Sequence, residues 1–203
     1  MNKIACKPYV NILKGYRVVL ISTLLVSLLP PFIALAGGSW SQVEVSNGLY
    51  VDFPHTPKYT ISNTGSYNAA TYVTKSNNCL FMTIIARQVF SRYPEFIFYS
   101  QKWKTEETKA VLDKFLDSYV GGKLQYVNAV GVIKPITLKQ YLGRKVSYSA
   151  INPVDGKKHL RYSEIYLIKD SVVSFDCWYL RDDFSICDQE RIKYFKTVTL
   201  KEY

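Results

Sequence analysis

The sequence has little of what catalysis on familiar scaffolds requires. No Gly-x-Ser-x-Gly elbow, His-Glu-x-x-His helix, P-loop or dinucleotide-binding glycine pattern occurs in its 203 residues, so the well-understood routes to hydrolysis, zinc chemistry and nucleotide binding lack their parts. Histidine is reduced to His55 and His159. The first lies between Pro54 and Pro57 in an expected loop and the second beside Lys158 at an expected strand end. Either would be a candidate general base, but an exposed, uninvolved histidine explains both. Neither stands at a ligand spacing from a cysteine, so no metal and no cofactor is expected. Acidic residues are scarce too, 16 against 26 Lys and Arg. Asp176, Asp182, Asp183 and Asp188 form the one acidic concentration, without the alternating spacing and glycine of an EF-hand loop; loop solvation and helix capping account for them. Internal repeats and low-complexity tracts are absent.

A long uninterrupted apolar run is missing as well. Val18 to Ala36 is almost purely apolar, but Pro30 and Pro31 break it short of the ~20 residues that a bilayer-spanning helix asks for. Lys3, Lys7, Lys14 and Arg17 precede it with no acidic residue among them. A positive segment, an apolar segment and the small-x-small step Ala34-Leu35-Ala36 together read as a secretory signal peptide, residues 1–36, cleaved between Ala36 and Gly37. The alternative is an uncleaved N-terminal anchor. No cysteine stands at the cleavage point to accept a lipid, and Cys6 lies in the basic segment. The expected protein is therefore periplasmic or secreted, with residues 37–203 as one domain of a size that supports its own core.

Four of the basic residues lie in the leader and none of the acidic ones, which leaves residues 37–203 at a net charge of +6. Such a surface favours anionic neighbours, whether lipid headgroups, acidic envelope polymers or acidic protein faces. Nucleic acid is excluded as a partner by export and by the dispersal of Lys157, Lys158 and Arg161, or Lys193, Lys196 and Lys201, along separate segments. Peripheral membrane contact is compatible with this charge.

Cys79, Cys177 and Cys187 remain after processing, in a compartment where a disulfide persists. The pair nearest in sequence, Cys177 with Cys187, would tie a strand to the start of the following helix, leaving Cys79 as a buried thiol. Closing so short a loop contributes roughly 2–3 kcal/mol in the chain-entropy model, although spacing alone does not decide connectivity.

Along the chain, Val43 to Val45 and Leu49 to Phe53 read as a short extended start around Ser46-Asn47-Gly48, ended by Pro54. Lys58 to Ser62 and Tyr67 to Thr74 are β-rich runs around a hairpin signal. Cys79 to Val89, apolar on both faces, predicts a covered central strand. A helix is expected from Thr105, with Val111, Leu112, Phe115, Leu116 and Tyr119 on one face and Gly121-Gly122 as its stop. Leu124 to Leu138 predicts a bent or broken strand. Lys145 to Ile151, Leu160 to Ile168 and Val172 to Leu180 predict an antiparallel meander. Phe184 to Lys196 reads as a terminal helix with Val198 to Leu200 as a last edge strand. The order predicts an α+β fold, an antiparallel sheet flanked by helices. The most unusual composition is the aromatic segment Phe90, Tyr93, Phe96, Phe98, Tyr99 and Trp103. It is either packing for the crossover or, through Phe96, Phe98 and Trp103, a ligand or partner surface.

Several stretches resemble the PsbP-like superfamily, which includes DcrB-type envelope proteins and the extrinsic PsbP protein of photosystem II. They are Leu49-Tyr50-Val51-Asp52-Phe53-Pro54, Tyr141-Leu142-Gly143-Arg144-Lys145, Arg161-Tyr162 through Tyr166-Leu167-Ile168, and Tyr194-Phe195-Lys196-Thr197-Val198. The sequence departs from the pattern at His55 and at Lys196-Thr197. The resemblance implies an α/β/α-like sandwich and a non-enzymatic accessory or binding role for an unknown protein or anionic envelope component. The competing expectation is an envelope enzyme acting on an anionic substrate.

Overall fold

The structure is a computed structural model that describes residues 40–63, 68–87, 106–152, 155–180 and 184–201. The expected leader and cleavage step, and the aromatic residues Phe96, Phe98 and Trp103, lie outside the described residues. Among the described residues, ten strands and two helices follow in chain order: β1 (Ser41–Ser46), β2 (Leu49–Phe53), β3 (Lys58–Asn63), β4 (Asn68–Lys75), β5 (Cys79–Arg87), α1 (Glu106–Tyr126), β6 (Gly131–Leu138), β7 (Tyr141–Ile151), β8 (Lys158–Ile168), β9 (Ser171–Tyr179), α2 (Phe184–Lys196) and β10 (Thr199–Leu200). Seven strands form one sheet in the order β3-β4-β5-β9-β8-β7-β6, every neighbouring pair antiparallel. The other three form a second sheet, β1-β2-β10.

The period-two alternation of β9 sorts its side chains onto the two faces of the large sheet. Phe175, Cys177 and Tyr179 enter one core with Phe81 of β5, Tyr194 of α2, and Leu49, Val51 and Phe53 of the small sheet. Val172 enters the other core with Leu112, Leu116 and Val120 of α1 and Val146 and Ile165 of the meander. Covered on both sides, β5 and β9 read as near-continuous apolar runs, which is why the central position of Cys79 to Val89 was legible. Burying each such large side chain contributes about 2 kcal/mol.

The expected α/β/α sandwich is corrected by this architecture. Strand accounts for 56% and helix for 24% of the described residues, and much of the layer over one face is a second sheet. The physical reason lies in the residues taken for an extended start. Val43 pairs with Val51 across the β1–β2 hairpin, with Gly48 at φ 74° in its turn, and Leu200 of β10 adds opposite Leu49. Their alternate apolar residues supply a whole face of cover, leaving α2 to fill the remainder.

The helix stop is corrected too. Helix α1 runs through Gly121 and Gly122 to Tyr126, because Val120, Lys123 and Leu124 are all buried beyond or beside them. Burial of that turn outweighs the ~1 kcal/mol that a helical glycine costs. The stop is Asn128, left-handed at φ 48°, where the Ala129 N–H donates to the Leu124 carbonyl at 2.9 Å. The expected strand from Leu124 therefore begins only at Gly131.

Two glycines give predictions of opposite sign. A Cβ on Gly143 would stand 2.7 Å from the Ile165 carbonyl oxygen and 2.5 Å from Tyr166 Cδ1, so Gly143→Ala should lower stability by about 1–3 kcal/mol. A Cβ on Gly121 meets nothing within 4 Å, so Gly121→Ala should raise it by about 0.5–1 kcal/mol. Urea unfolding monitored by circular dichroism checks both.

Candidate functional site

Catalytic residue types do meet beneath α1, but they are sealed there. Lys123 of α1 reaches down to the sheet and donates to Ser163 Oγ of β8 at 3.0 Å, to Ser174 Oγ of β9 at 3.1 Å and to the Asp176 carboxylate. Ser163 and Ser174 in turn donate to Asp176. A serine beside a neutral lysine is a nucleophile with its base. Here burial alone would push the ammonium toward losing its proton, but the Asp176 carboxylate outweighs it and raises the Lys123 pKa above its ordinary value. The lysine stays charged and cannot take a proton from serine. With Asp176 and Ser163 wholly enclosed, no substrate reaches them either, and the cluster is a pin between helix and sheet.

Beside it, Arg161 is buried with its guanidinium 3.9 Å from the Trp178 ring centroid, a desolvated cation–π contact. One terminal nitrogen donates to the Ile151 carbonyl at 3.0 Å, and burial lowers the guanidinium pKa.

The cysteine expectation is corrected on the opposite face. Cys187 of α2 bonds to Cys79 of β5, with Cα atoms 5.7 Å apart, and Cys177 is the buried free thiol. All three sulfurs lie within 4.8 Å of one another. The register explains why: Cys79 pairs with Tyr179 and Phe81 with Cys177, so Cys79 and Cys177 sit diagonally on one face below α2. With two sulfurs bonded to each other, the cluster offers a metal one thiol. Burial drives the Cys177 pKa far up, which leaves it unreactive.

The histidines separate. His55 is half-buried after β2, whereas His159, expected at an exposed strand end, is buried with Nε2 2.6 Å from Asp155 Oδ2. Among the acids, Asp182 and Asp183 lie outside the described residues. Asp176 lies under α1, while Asp188, on α2, accepts from Tyr179 of β9 and from Arg191 of its own helix. The sheet stands between them, so the two hold no common cation.

What is open is a cleft of ≈ 420 Å³ between the two sheets, where the β1–β2 turn faces the β8–β9 turn. Leu49, Ile168, Val173 and Leu200, all buried, lie at its base. Asn47, Asn68, Arg87, Lys169 and Asp170 line the rim. Asp170 accepts from Ser171 Oγ at 3.1 Å. Arg87 and Lys169 are exposed and make no ion pair with the described residues. Lys169 is left-handed at φ 55°, as a two-residue hairpin turn demands, at a cost of roughly 1 kcal/mol for a side chain other than glycine. An apolar base with convergent polar groups is the usual form of a small-molecule site. Sequence reading missed it because its parts come from seven strands and two turns; the one local signal was the tight Lys169-Asp170 connection.

No protein-family model and no curated protein matches the chain. Among solved structures, a Pseudomonas aeruginosa protein of unknown function is similar at 10% sequence identity and a TM-score of 0.43, over 82% of this chain and 100% of that one, a likeness too loose to carry any function across.

Proposed function

We propose that the chain is an exported, non-enzymatic accessory or binding protein whose intersheet cleft receives an anionic small molecule or the anionic group of a larger envelope component. The observation that carries this reading is the contrast between the two polar assemblies. The residues capable of chemistry are enclosed beneath α1 and satisfied by one another. The open cleft displays two cations that have no ion-pair partner among the described residues, over an apolar base, and the hydroxyls of Ser46 and Ser171 that line it have no histidine among the lining residues to activate them. The basic leader with its apolar run supports export, and the PsbP-like resemblance points to the same non-catalytic role. The enzymatic alternative lacks its candidate bases at the cleft, since neither His55 nor His159 lines it.

Calorimetry against a panel of dicarboxylates and phosphate monoesters tests the reading. A charge-assisted hydrogen bond is worth about 1.5–3 kcal/mol, so Arg87→Ala and Lys169→Ala should each weaken the best binder by roughly tenfold or more. Lys114→Ala, exposed on α1, should leave it unchanged. Equal affinity in all three variants would remove the cleft as the site.

A further inference from the structure

We propose that the corner where α1 hands over to β6 is a docking surface for an anionic lipid bilayer. Five of the nine large hydrophobic residues exposed among the described residues gather there: Tyr126, Val130, Val132, Ile133 and Ile151. Val130 is 95% exposed, Ile151 66% and Val132 59%. The register puts Val132, opposite Ser147, on the same sheet face as Ile151, opposite Lys158, while Ile133, opposite Val146, emerges on the α1 face, so exposed apolar side chains rim this corner on both sides of the sheet. Protruding apolar side chains concentrated at one place mark an interaction site rather than the usual scatter.

The charge around them selects the occupant. Lys157 and Lys158 flank Ile151, and Lys134 shares a strand face with Val132; all three are exposed. The acid at this corner, Asp155, is engaged by the Lys157 N–H at 2.9 Å and by His159. Those bonds hold its carboxyl below the ordinary range and engage both of its oxygens, so this one exposed acid is outnumbered by the three exposed lysines around the apolar tips. Apolar tips ringed by lysines match a bilayer whose headgroups are anionic and whose acyl region begins just beneath. Strand pairing with a second copy is opposed by the same edge: β6 carries Pro135, which has no N–H to give, and Lys134 beside it, both devices that blunt an edge strand.

Hydrogen exchange of the full-length protein, read by mass spectrometry, tests this locally and independently of the apolar leader. Vesicles of phosphatidylcholine mixed with phosphatidylglycerol should slow exchange in peptides covering 127–134 and 149–158, and vesicles of phosphatidylcholine alone should not. Val130→Asp with Ile151→Asp should abolish that protection without changing the melting temperature. Replacing Lys134, Lys157 and Lys158 by Gln should weaken it roughly a hundredfold, at about fivefold per lysine. Absent or equal protection with the two vesicle types overturns the proposal. So does protection that rises with protein concentration in the absence of lipid, which would assign the corner to a second copy.

Discussion

Asp176→Leu is expected to destabilise the fold by about 3–5 kcal/mol, the cost of leaving one partner of a buried ion pair uncompensated. The stranded group is the Lys123 ammonium, and Ser163 and Ser174 lose their acceptor with it. The double variant Lys123→Met with Asp176→Leu should recover most of the loss, because apolar residues of similar volume replace such pairs at little cost. Denaturant titration of both variants and of the wild type separates the two cases. A single variant within 1 kcal/mol of wild type would show that the pair is not what pins α1. The pH dependence follows from the raised Lys123 pKa. Its contribution is complete below the ordinary lysine value, holds throughout the neutral range, and is lost only as pH climbs past that value to the folded-state pKa.

Breaking the Cys79–Cys187 bond should have an effect of similar size. The bridge spans 108 residues, and a loop of that order stabilises by about 4.7 kcal/mol in the chain-entropy model. Cys187→Ala should therefore lower the melting temperature by roughly 10–20 °C for a domain of this size, whereas Cys177→Ala should cost only about 1 kcal/mol for the small cavity it leaves. A further consequence concerns the order of events. Closing the loop between Cys177 and Cys187, ten residues apart, costs about 2 kcal/mol less entropy than closing the long one. Refolded with oxidised glutathione, which accepts the two electrons and leaves as two thiols, the reduced chain should pass through the Cys177–Cys187 pair. The Cys79 thiolate then attacks Cys187 Sγ, forming the native bond and releasing the Cys177 thiolate, once β5 has paired with β9. Acid-quenched peptide mapping should find the short-range bridge early and lose it later. Finding only the Cys79–Cys187 link from the first time point would contradict that order.

These two cases show what the sequence could and could not reveal. Elements whose identity rests on local pattern were legible: β5 from its double-sided apolar run, the β7-β8-β9 meander from its turn residues, and α2 from its helical spacing and late lysines. What failed depends on contacts distant along the chain. Gly121-Gly122 looked like a helix stop because local propensity says so, and only the tertiary anchor at Lys123 carries the helix past them. The nearest cysteines looked like partners because sequence distance was the only distance available; the β5–β9 register puts Cys79 below α2 instead. The fold class slipped for the same reason, since nothing local says that Leu200 will pair with Leu49 across the whole chain. Of the candidate site, Arg87 and Lys169 were unremarkable as residues and acquire meaning only where two sheets leave a gap.

The account stands or falls on that gap, and the most direct test is native mass spectrometry of the wild-type protein and of the Arg87→Ala, Lys169→Ala double variant, each recovered from its own cells. The account expects the wild type to carry an anionic species that the double variant, equally folded, lacks. A bare wild-type chain, or the same adduct on both proteins, would contradict it.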